Sequence, residues 1–291
     1  MIQDMNKMLE RANILAEALP YIHKLAGKTV VIKYGGNAMN SEEVTKTILE
    51  DVAILKIVGI NPILVHGGGP DINKMLGRLD IPSNFYKGLR VTDKDTMDVV
   101  QMVLCGKLNK DITSKLNSLG VSAIGLCGKD AKLLNVTRKL PVEGVDLGFV
   151  GEVTSVNAKL LEILISDEFI PVIATVGTDA EGNSYNVNAD TAAAEIAGAM
   201  KAEKLIFLTD IDGIRRDEKD PSSLIPAITV EEINEMIASG AISGGMIPKV
   251  RACTRAIEKG INRTHIVNGM VCHPVMLEIF TDSGIGTMVT K

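Results

Sequence analysis

Apolar and polar positions along this 291-residue chain keep switching between two periods, one near 3.6 residues and one of two residues. From Ile2 to Leu19 apolar side chains recur at Met5, Met8, Leu9, Ala12, Leu15, Ala16 and Leu19, a spacing that places them on one helical face. Pro20 is expected to break or kink that helix. The β-branched run TVVIK (29–33) then predicts a strand ending at Gly35 and Gly36, with a helical pattern following from Glu42 to Val58. The same events repeat at once: NPILVH (61–66) predicts a strand, Gly67, Gly68 and Gly69 a turn, and Pro70 with Asp71 the opening of a helix. A helical stretch from Lys94 to Leu119 leads to a strand at Val121–Leu126, and a glycine-punctuated segment from Leu133 to Val156 alternates like hairpins. Further strands are expected at 170–175, 204–209 and 263–267, and helices at 157–166, 190–200, 229–239 and 246–259. Gly177–Val187 is the one long irregular stretch and reads as a functional loop.

Alternating strands and helices predict an α/β protein with a mostly parallel sheet covered by helices on both faces. In such sheets ligands bind beyond the carboxyl ends of the strands, and the glycine turns lie there. With 46% hydrophobic residues the chain can bury a sizeable core and form two lobes. A formal net charge of −5 offers no basic field for a nucleic-acid backbone, and 3% aromatics without Trp offer no platform for stacking bases. Cys105, Cys127, Cys253 and Cys272 lie far apart without a C-x-x-C pair, which speaks against a zinc site or a disulfide framework and for reduced thiols in a cytoplasm. No apolar run reaches the ~20 residues of a membrane span and no signal-peptide pattern opens the chain, so a soluble, unexported protein is expected.

Glycines after a strand let the backbone approach a ligand, and the next helix N-terminus presents unpaired N–H groups to anionic oxygens. Either turn alone could be a tight connection, but two in tandem, with Lys33 at the end of one strand, point to two anionic groups brought face to face. The familiar nucleotide motifs are absent. Gly27-Lys28-Thr29 looks like the end of a P-loop, but Ile22 stands where its first glycine belongs and the segment precedes a strand. No G-x-G-x-x-G opens a helix, and the H-R-D and D-F-G pieces of protein kinases are missing. Three further segments read two ways. Lys249, in SGGMIPKV (243–250), is a surface lysine or a phosphate ligand behind a glycine turn. Asp190, in YNVNAD (185–190), is a helix cap or a charged site residue. TDIDG (209–213) is a turn or a nucleotide-facing strand end. His66 reads as a structural ring packed near its turn.

Taken together, KYGG (33–36), HGGGP (66–70), KGLRVT (87–92), NVNAD (186–190), LTDIDG (208–213) and GGM-x-x-K (244–249) resemble the acetylglutamate kinase branch of the amino acid kinase family, in order and over nearly the whole chain. KGLRVT is the segment that separates this branch from the carbamate, aspartate and uridylate kinases. The resemblance implies a three-layer α/β/α sandwich. An N-terminal extension (1–27) would serve oligomerisation, residues 28–200 would bind acetylglutamate, and residues 201–291 would bind ATP with Mg²⁺ and, at their end, arginine. It implies that Gly68, Gly69, Arg90 and Asn186 contact N-acetyl-L-glutamate and that Lys33 and Lys249 flank the transferred phosphoryl group. Asp190 would hold the two lysines, while Gly35, Gly36, Thr209, Asp210, Asp212 and Gly213 line the nucleotide. Mg²⁺ would enter on ATP, with no protein side chain as ligand.

The implied reaction yields N-acetyl-L-glutamyl 5-phosphate, the second step of arginine biosynthesis. A carboxylate nucleophile with an unperturbed pKa of about 4.3 needs no catalytic base, so the absence of a Ser-His-Asp or Cys-His arrangement fits. The N-terminal helix resembles the extension of arginine-inhibited hexamers built as trimers of dimers. VCHPVMLEIFTDSGIGT (271–287) resembles their arginine-sensing end, which would set Tyr21, His273, Glu278 and Gly286 near arginine, with Pro274 departing from the usual small residue. The competing readings are another amino acid kinase, acting on carbamate, aspartate, glutamate or a nucleotide, and a non-catalytic arginine or nucleotide sensor. Retention of Lys33, Asp190 and Lys249 argues against the sensor.

Overall fold

The computed structural model describes residues 2–217 and 219–291, and their side chains except at 2–4, 6–12, 14–15, 37 and 40. Helix α1 (Ile2–Leu25) continues through Pro20 instead of breaking there. Its last turn is anchored, because Leu25 is buried in the core and Ala26 N–H donates to Ile22 O. Of the apolar face expected on this helix, Met8, Leu9, Ala12 and Leu15 lie outside the described side chains, and Met5 and Leu19 are exposed.

The first half of the chain contributes β1 (Thr29–Tyr34), α2 (Glu42–Ile57), β2 (Asn61–His66), α3 (Gly69–Arg78), the short hairpin β3 (Phe85–Tyr86) and β4 (Leu89–Arg90), and α4 (Lys94–Gln101). A π-helical turn, Met102–Leu108, joins α4 to α5 (Asn109–Ser118), so the long helix expected from 94 to 119 is interrupted. There follow β5 (Ala123–Cys127), β6 (Leu134–Arg138), β7 (Gly151–Val156), α6 (Ala158–Ser166), β8 (Ile170–Ala174), β9 (Val176–Thr178), β10 (Ser184–Asn186) and α7 (Ala189–Ala199). The second half adds β11 (Lys204–Thr209), β12 (Ala227–Thr229), α8 (Val230–Ala238), α9 (Met246–Glu258), β13 (Arg263–Asn268), α10 (Pro274–Ile279) and β14 (Thr287–Thr290).

Among the described residues the central sheet has the order β12-β14-β13-β11-β1-β2-β8-β5, parallel except where β13 meets β14. Strands from before residue 200 lie on one side of the β1–β11 junction and strands from after it on the other. Successive strand residues face opposite layers. Val30, Ile32 and Leu64 pack in the layer that includes α2 and α10, while Val31, Ile63, Val65 and Phe207 pack toward α7 and α9. By this alternation Lys33 shares the face of Val31, which is the α7 side. The segment 177–187, expected to be irregular, is instead largely a hairpin: β9 pairs with β10, and β9 also meets β6 in a second sheet ordered β10-β9-β6-β7. Three-residue strands carry too little periodicity to be read from sequence. Among the described residues no helix is long and apolar enough to cross a membrane, and all four cysteines are free.

Candidate active site

The carboxyl ends of β1 and β2 deliver the two glycine turns. In parallel register Tyr34 lies beside His66 and Gly67 N–H donates to Tyr34 O, so the turns open side by side. Gly68 stands at the start of α3, and an added Cβ there would lie 2.4 Å from Leu108 Cδ1 and 2.6 Å from Leu104 Cδ2. Both leucines sit on the π-helical turn, so any side chain at Gly68 would have to push their terminal methyls aside. A cavity of about 250 Å³ is bounded by Lys33, Gly35, Gly36, Gly67–Gly69, Arg90, Asn186, Asn188 and Ala189. The N-termini of α3 and α7 both face it, which favours negative charge within it.

Arg90 is buried, 6% exposed, and its guanidinium donates to Ser83 Oγ (2.6 Å) and Asn73 Oδ1 (2.7 Å) while lying 4.6 Å from the Phe85 ring centroid. Among the described residues it forms no ion pair. Burial pulls its pKa down, yet a guanidinium stays charged in proteins, so this cavity carries an uncompensated positive charge. Asn186 Nδ2 donates to Thr92 Oγ1 (3.2 Å), which fixes that side chain at the opposite wall.

Lys33 Nζ lies 2.9 Å from Asp190 Oδ1, and both side chains are nearly buried. Asp190 does not cap α7. Asn188 does so, its Oδ1 accepting from Thr191 N–H at 3.0 Å, which frees the Asp190 carboxylate for the lysine. Helices α7 and α9 run side by side in the same sense: buried Glu195 receives Arg255 Nε (2.6 Å) and Lys259 Nζ (3.0 Å), and Gly198 abuts Lys259. Their first turns, carrying Asp190 and Lys249, therefore lie toward the same edge of the sheet.

Lys249 lines a second cavity of about 560 Å³, together with Asp210–Arg215, Ala241–Met246 and Asn268. Lys33 and Lys249 thus border neighbouring cavities, not one shared cavity. The junction between them is β1 against β11, where Lys33 is in register with Phe207, two residues before Thr209. Asp212 is held by Asn268 Nδ2 (2.7 Å) and Arg215 (2.5 Å), which keep its carboxyl below the usual range. Gly213 has φ +150°, and an added Cβ would lie 2.4 Å from Thr287 Oγ1. Of the residues expected to line a nucleotide, Asp210, Asp212 and Gly213 border the larger cavity, whereas Gly35 and Gly36 border the smaller one and Thr209 borders neither.

A third cavity, about 180 Å³, lies between the end of α1 and α10 and is lined by Tyr21, Lys204, Arg263, His265, Glu278 and Asp282, among others. Tyr21 OH donates to Asp282. Lys204 Nζ sits 3.2 Å from His265 Nε2, and His265 Nδ1 sits 2.6 Å from Glu278 Oε1. Burial pushes the His265 pKa down and would push Glu278 up, but the hydrogen bonds from His265 and from Ile285 and Gly286 N–H hold Glu278 below its ordinary value. The ring is therefore neutral and the carboxylate charged. Gly286 reaches this group only through its N–H to Glu278 (3.0 Å). His273 lies apart, pairing with fully buried Asp51 (2.6 Å), whose pKa burial raises. The lining of this cavity includes His265 and not His273. Asn188, Asn73, Ser83, Asn268 and His265 escaped the sequence reading, and only Asn188 lay inside a motif.

Residues 28–268 match the amino acid kinase family. The chain is 55% identical to a Caldicellulosiruptor saccharolyticus protein named acetylglutamate kinase, over 99% of each chain. It is 52% identical to one of the same name from Synechococcus elongatus, over 96% of this chain and 92% of the relative. Among solved structures, N-acetylglutamate synthase from Neisseria gonorrhoeae, complexed with coenzyme A and N-acetyl-glutamate, superposes with a TM-score of 0.86 at 24% identity, covering 96% of this chain and 63% of that one. Carbamate kinase from Giardia lamblia bound to AMP-PNP superposes at 0.68 with 16% identity, over 91% and 99%. At these identities the structural likeness speaks for the fold alone.

Proposed function

The chain belongs to the amino acid kinase family and is a kinase, and from that premise we propose that it transfers the terminal phosphoryl group of ATP to the side-chain carboxylate of N-acetyl-L-glutamate. The product is N-acetyl-L-glutamyl 5-phosphate, an intermediate of arginine biosynthesis, and the work is done in the cytoplasm. The observation that carries this reading is the uncompensated Arg90 guanidinium, buried beside the Gly67–Gly69 turn and facing the same cavity as Lys33.

Arg90 meets one carboxylate of the acceptor with its planar fork, and Asn186 and the N–H groups of Gly68 and Gly69 take the remaining polar atoms. The half of the chain before residue 200 thus holds the acceptor, and the half after it holds ATP in the 560 Å³ cavity. The acceptor carboxylate is ionised at neutral pH and attacks without a base. The barrier is electrostatic, since two anions meet and charge moves onto the bridging oxygen. Lys33 on the acceptor side and Lys249 on the nucleotide side neutralise that charge, and Asp190 holds the lysine framework.

Mg²⁺ suits the site as an ion carried on the phosphate oxygens, its ordinary ligands. Among the described residues no three metal-ligating side chains gather, and the Asp212 carboxylate is engaged by Asn268 and Arg215. When bound, the ion neutralises phosphate charge. The test traps the acyl phosphate as a hydroxamate from ATP, Mg²⁺ and acetylglutamate. The Lys249→Ala variant should lose about a hundredfold in rate, roughly 3 kcal/mol, and equal product in both proteins would remove the mechanism. Turnover of carbamate, aspartate or glutamate without the acetyl group would point to another acceptor.

A second reading concerns control. Tyr21, Glu278 and His265 converge on the 180 Å³ cavity where α1 meets α10, and its acidic and basic lining suits free arginine as a feedback inhibitor. Helix α1 then joins dimers into a hexamer. Removing residues 1–27 should shrink the assembly by size-exclusion chromatography and abolish arginine inhibition; an unchanged assembly would exclude α1 as the connector.

A further inference from the structure

Asn109 opens α5 directly after the π-helical turn and is 1% exposed. Its Nδ2 lies 2.9 Å from Val172 O, 3.1 Å from His66 Nε2 and 3.2 Å from Leu126 O, so one amide bridges the ends of β2, β5 and β8. Backbone carbonyls can only accept hydrogen bonds, so the amide nitrogen has to face them. The two amide protons are shared among these three partners, and His66 Nε2 is an acceptor because Nδ1 faces the Gly67 carbonyl, which can only accept. The single ring proton is then on Nδ1, which donates to Gly67 O at 2.9 Å. On the far side of the amide, Oδ1 accepts from Lys110 Nζ at 3.1 Å.

We infer that Asn109 is a positioning residue for the acceptor: through the His66 ring it fixes the Gly67 carbonyl, and so aims the N–H groups of Gly68 and Gly69 into the cavity beside Arg90. This rests on the assignment of that cavity to acetylglutamate. The chain of contact runs from Asn109 to the ring, from the ring to Gly67, and from Gly67 to the turn. Each of these groups is confined. His66 is fully buried, and Gly68 is pressed against Leu104 and Leu108, which precede Asn109 on the same π-helical turn. A protonated ring would set an N–H against the amide N–H, and burial together with the Lys110 charge pulls the His66 pKa down to about 4. The ring therefore stays a neutral, single-tautomer strut throughout the physiological range.

Two substitutions reach this device from outside the cavity. Asn109→Ala removes the amide. Gly125→Ala acts from further away, because an added Cβ would lie 2.1 Å from Asn109 Oδ1 and must displace it. In both variants KM for acetylglutamate should rise at least tenfold while KM for ATP stays within twofold of the parent. The ¹⁵N spectrum of the His66 ring should change from a single Nδ1–H tautomer to a mixture. Gly125→Ala keeps the inference open to refutation if Asn109→Ala does not fold. A folded variant with parental acceptor KM, or a ring that remains wholly Nδ1–H in both variants, overturns it. Should the parent neither bind nor phosphorylate acetylglutamate, the assignment of the cavity falls, and the ring spectra still decide whether Asn109 sets the tautomer.

Discussion

The two cavities at the carboxyl edge of the sheet are built on opposite plans. The smaller cavity, which we assign to the acceptor, has its polar groups held by neighbours: Arg90 by Asn73 and Ser83 at the surface, Asn186 by buried Thr92, and His66 by buried Asn109. The larger cavity, proposed for the nucleotide, has about twice the volume and is walled by two loops, 210–215 and 241–246. Its best-anchored carboxylate, Asp212, is tied across strands to Asn268 and along the loop to Arg215. A small acceptor must be told apart from its own relatives by a few atoms, which demands fixed donors. A large nucleotide gains affinity from extended contact and tolerates a softer wall.

The contrast can be broken most forcefully at Arg90. Arg90→Lys replaces a fork by a point charge in a buried site and leaves Asn73 and Ser83 with one shared donor group, so KM for acetylglutamate should rise on the order of a hundredfold, about 3 kcal/mol. Initial-rate kinetics with each substrate varied should leave KM for ATP unchanged, and a rise in both would dissolve the division of labour. Asp212→Ala offers the mirror test with a smaller effect. Taking the carboxylate away from Asn268 and Arg215 should raise KM for ATP by about tenfold, in line with two lost charge-assisted hydrogen bonds, with acceptor KM unmoved.

The remaining effect is on stability. His66 titrates near 4 in the fold against about 6.5 when exposed. The unfolded chain therefore takes up a proton that the folded one refuses, and stability falls as pH drops from about 6.5 to about 4, by at most about 3 kcal/mol. Urea titrations at pH 7 and pH 4.5 should show a smaller loss for His66→Gln than for the parent, and equal losses would mean that the ring is not held neutral.

The acceptor side was the more legible half in sequence because its signals are local. A strand that ends in a lysine and two glycines, or in a histidine and three, announces both the turn and its position on the sheet. The groups that fix those signals were not legible, since Asn73, Ser83 and Asn109 meet their partners only through the fold. The β9–β10 hairpin hid for a related reason. Its strands are three residues long and only β9 pairs with β6, where an added Cβ at Gly177 would lie 2.4 Å from Val136 Cγ1. The π-helical turn keeps a helical pattern of apolar positions and so reads as ordinary helix. His273 was named through the resemblance carried by 271–287, while His265 reaches Glu278 from β13, outside that segment.

Glu195 has a mechanical consequence. With one carboxylate clamping Arg255 and Lys259, the backbone that bears Asp190 and the backbone that bears Lys249 behave as a single strut spanning both halves of the molecule. Large swings of one half against the other would have to separate buried Glu195 from the two half-exposed cations that hold it. If the larger cavity takes the nucleotide as proposed, the glycine-bearing loops at its rim, and not the helix pair beneath them, are the segments left to adjust around it.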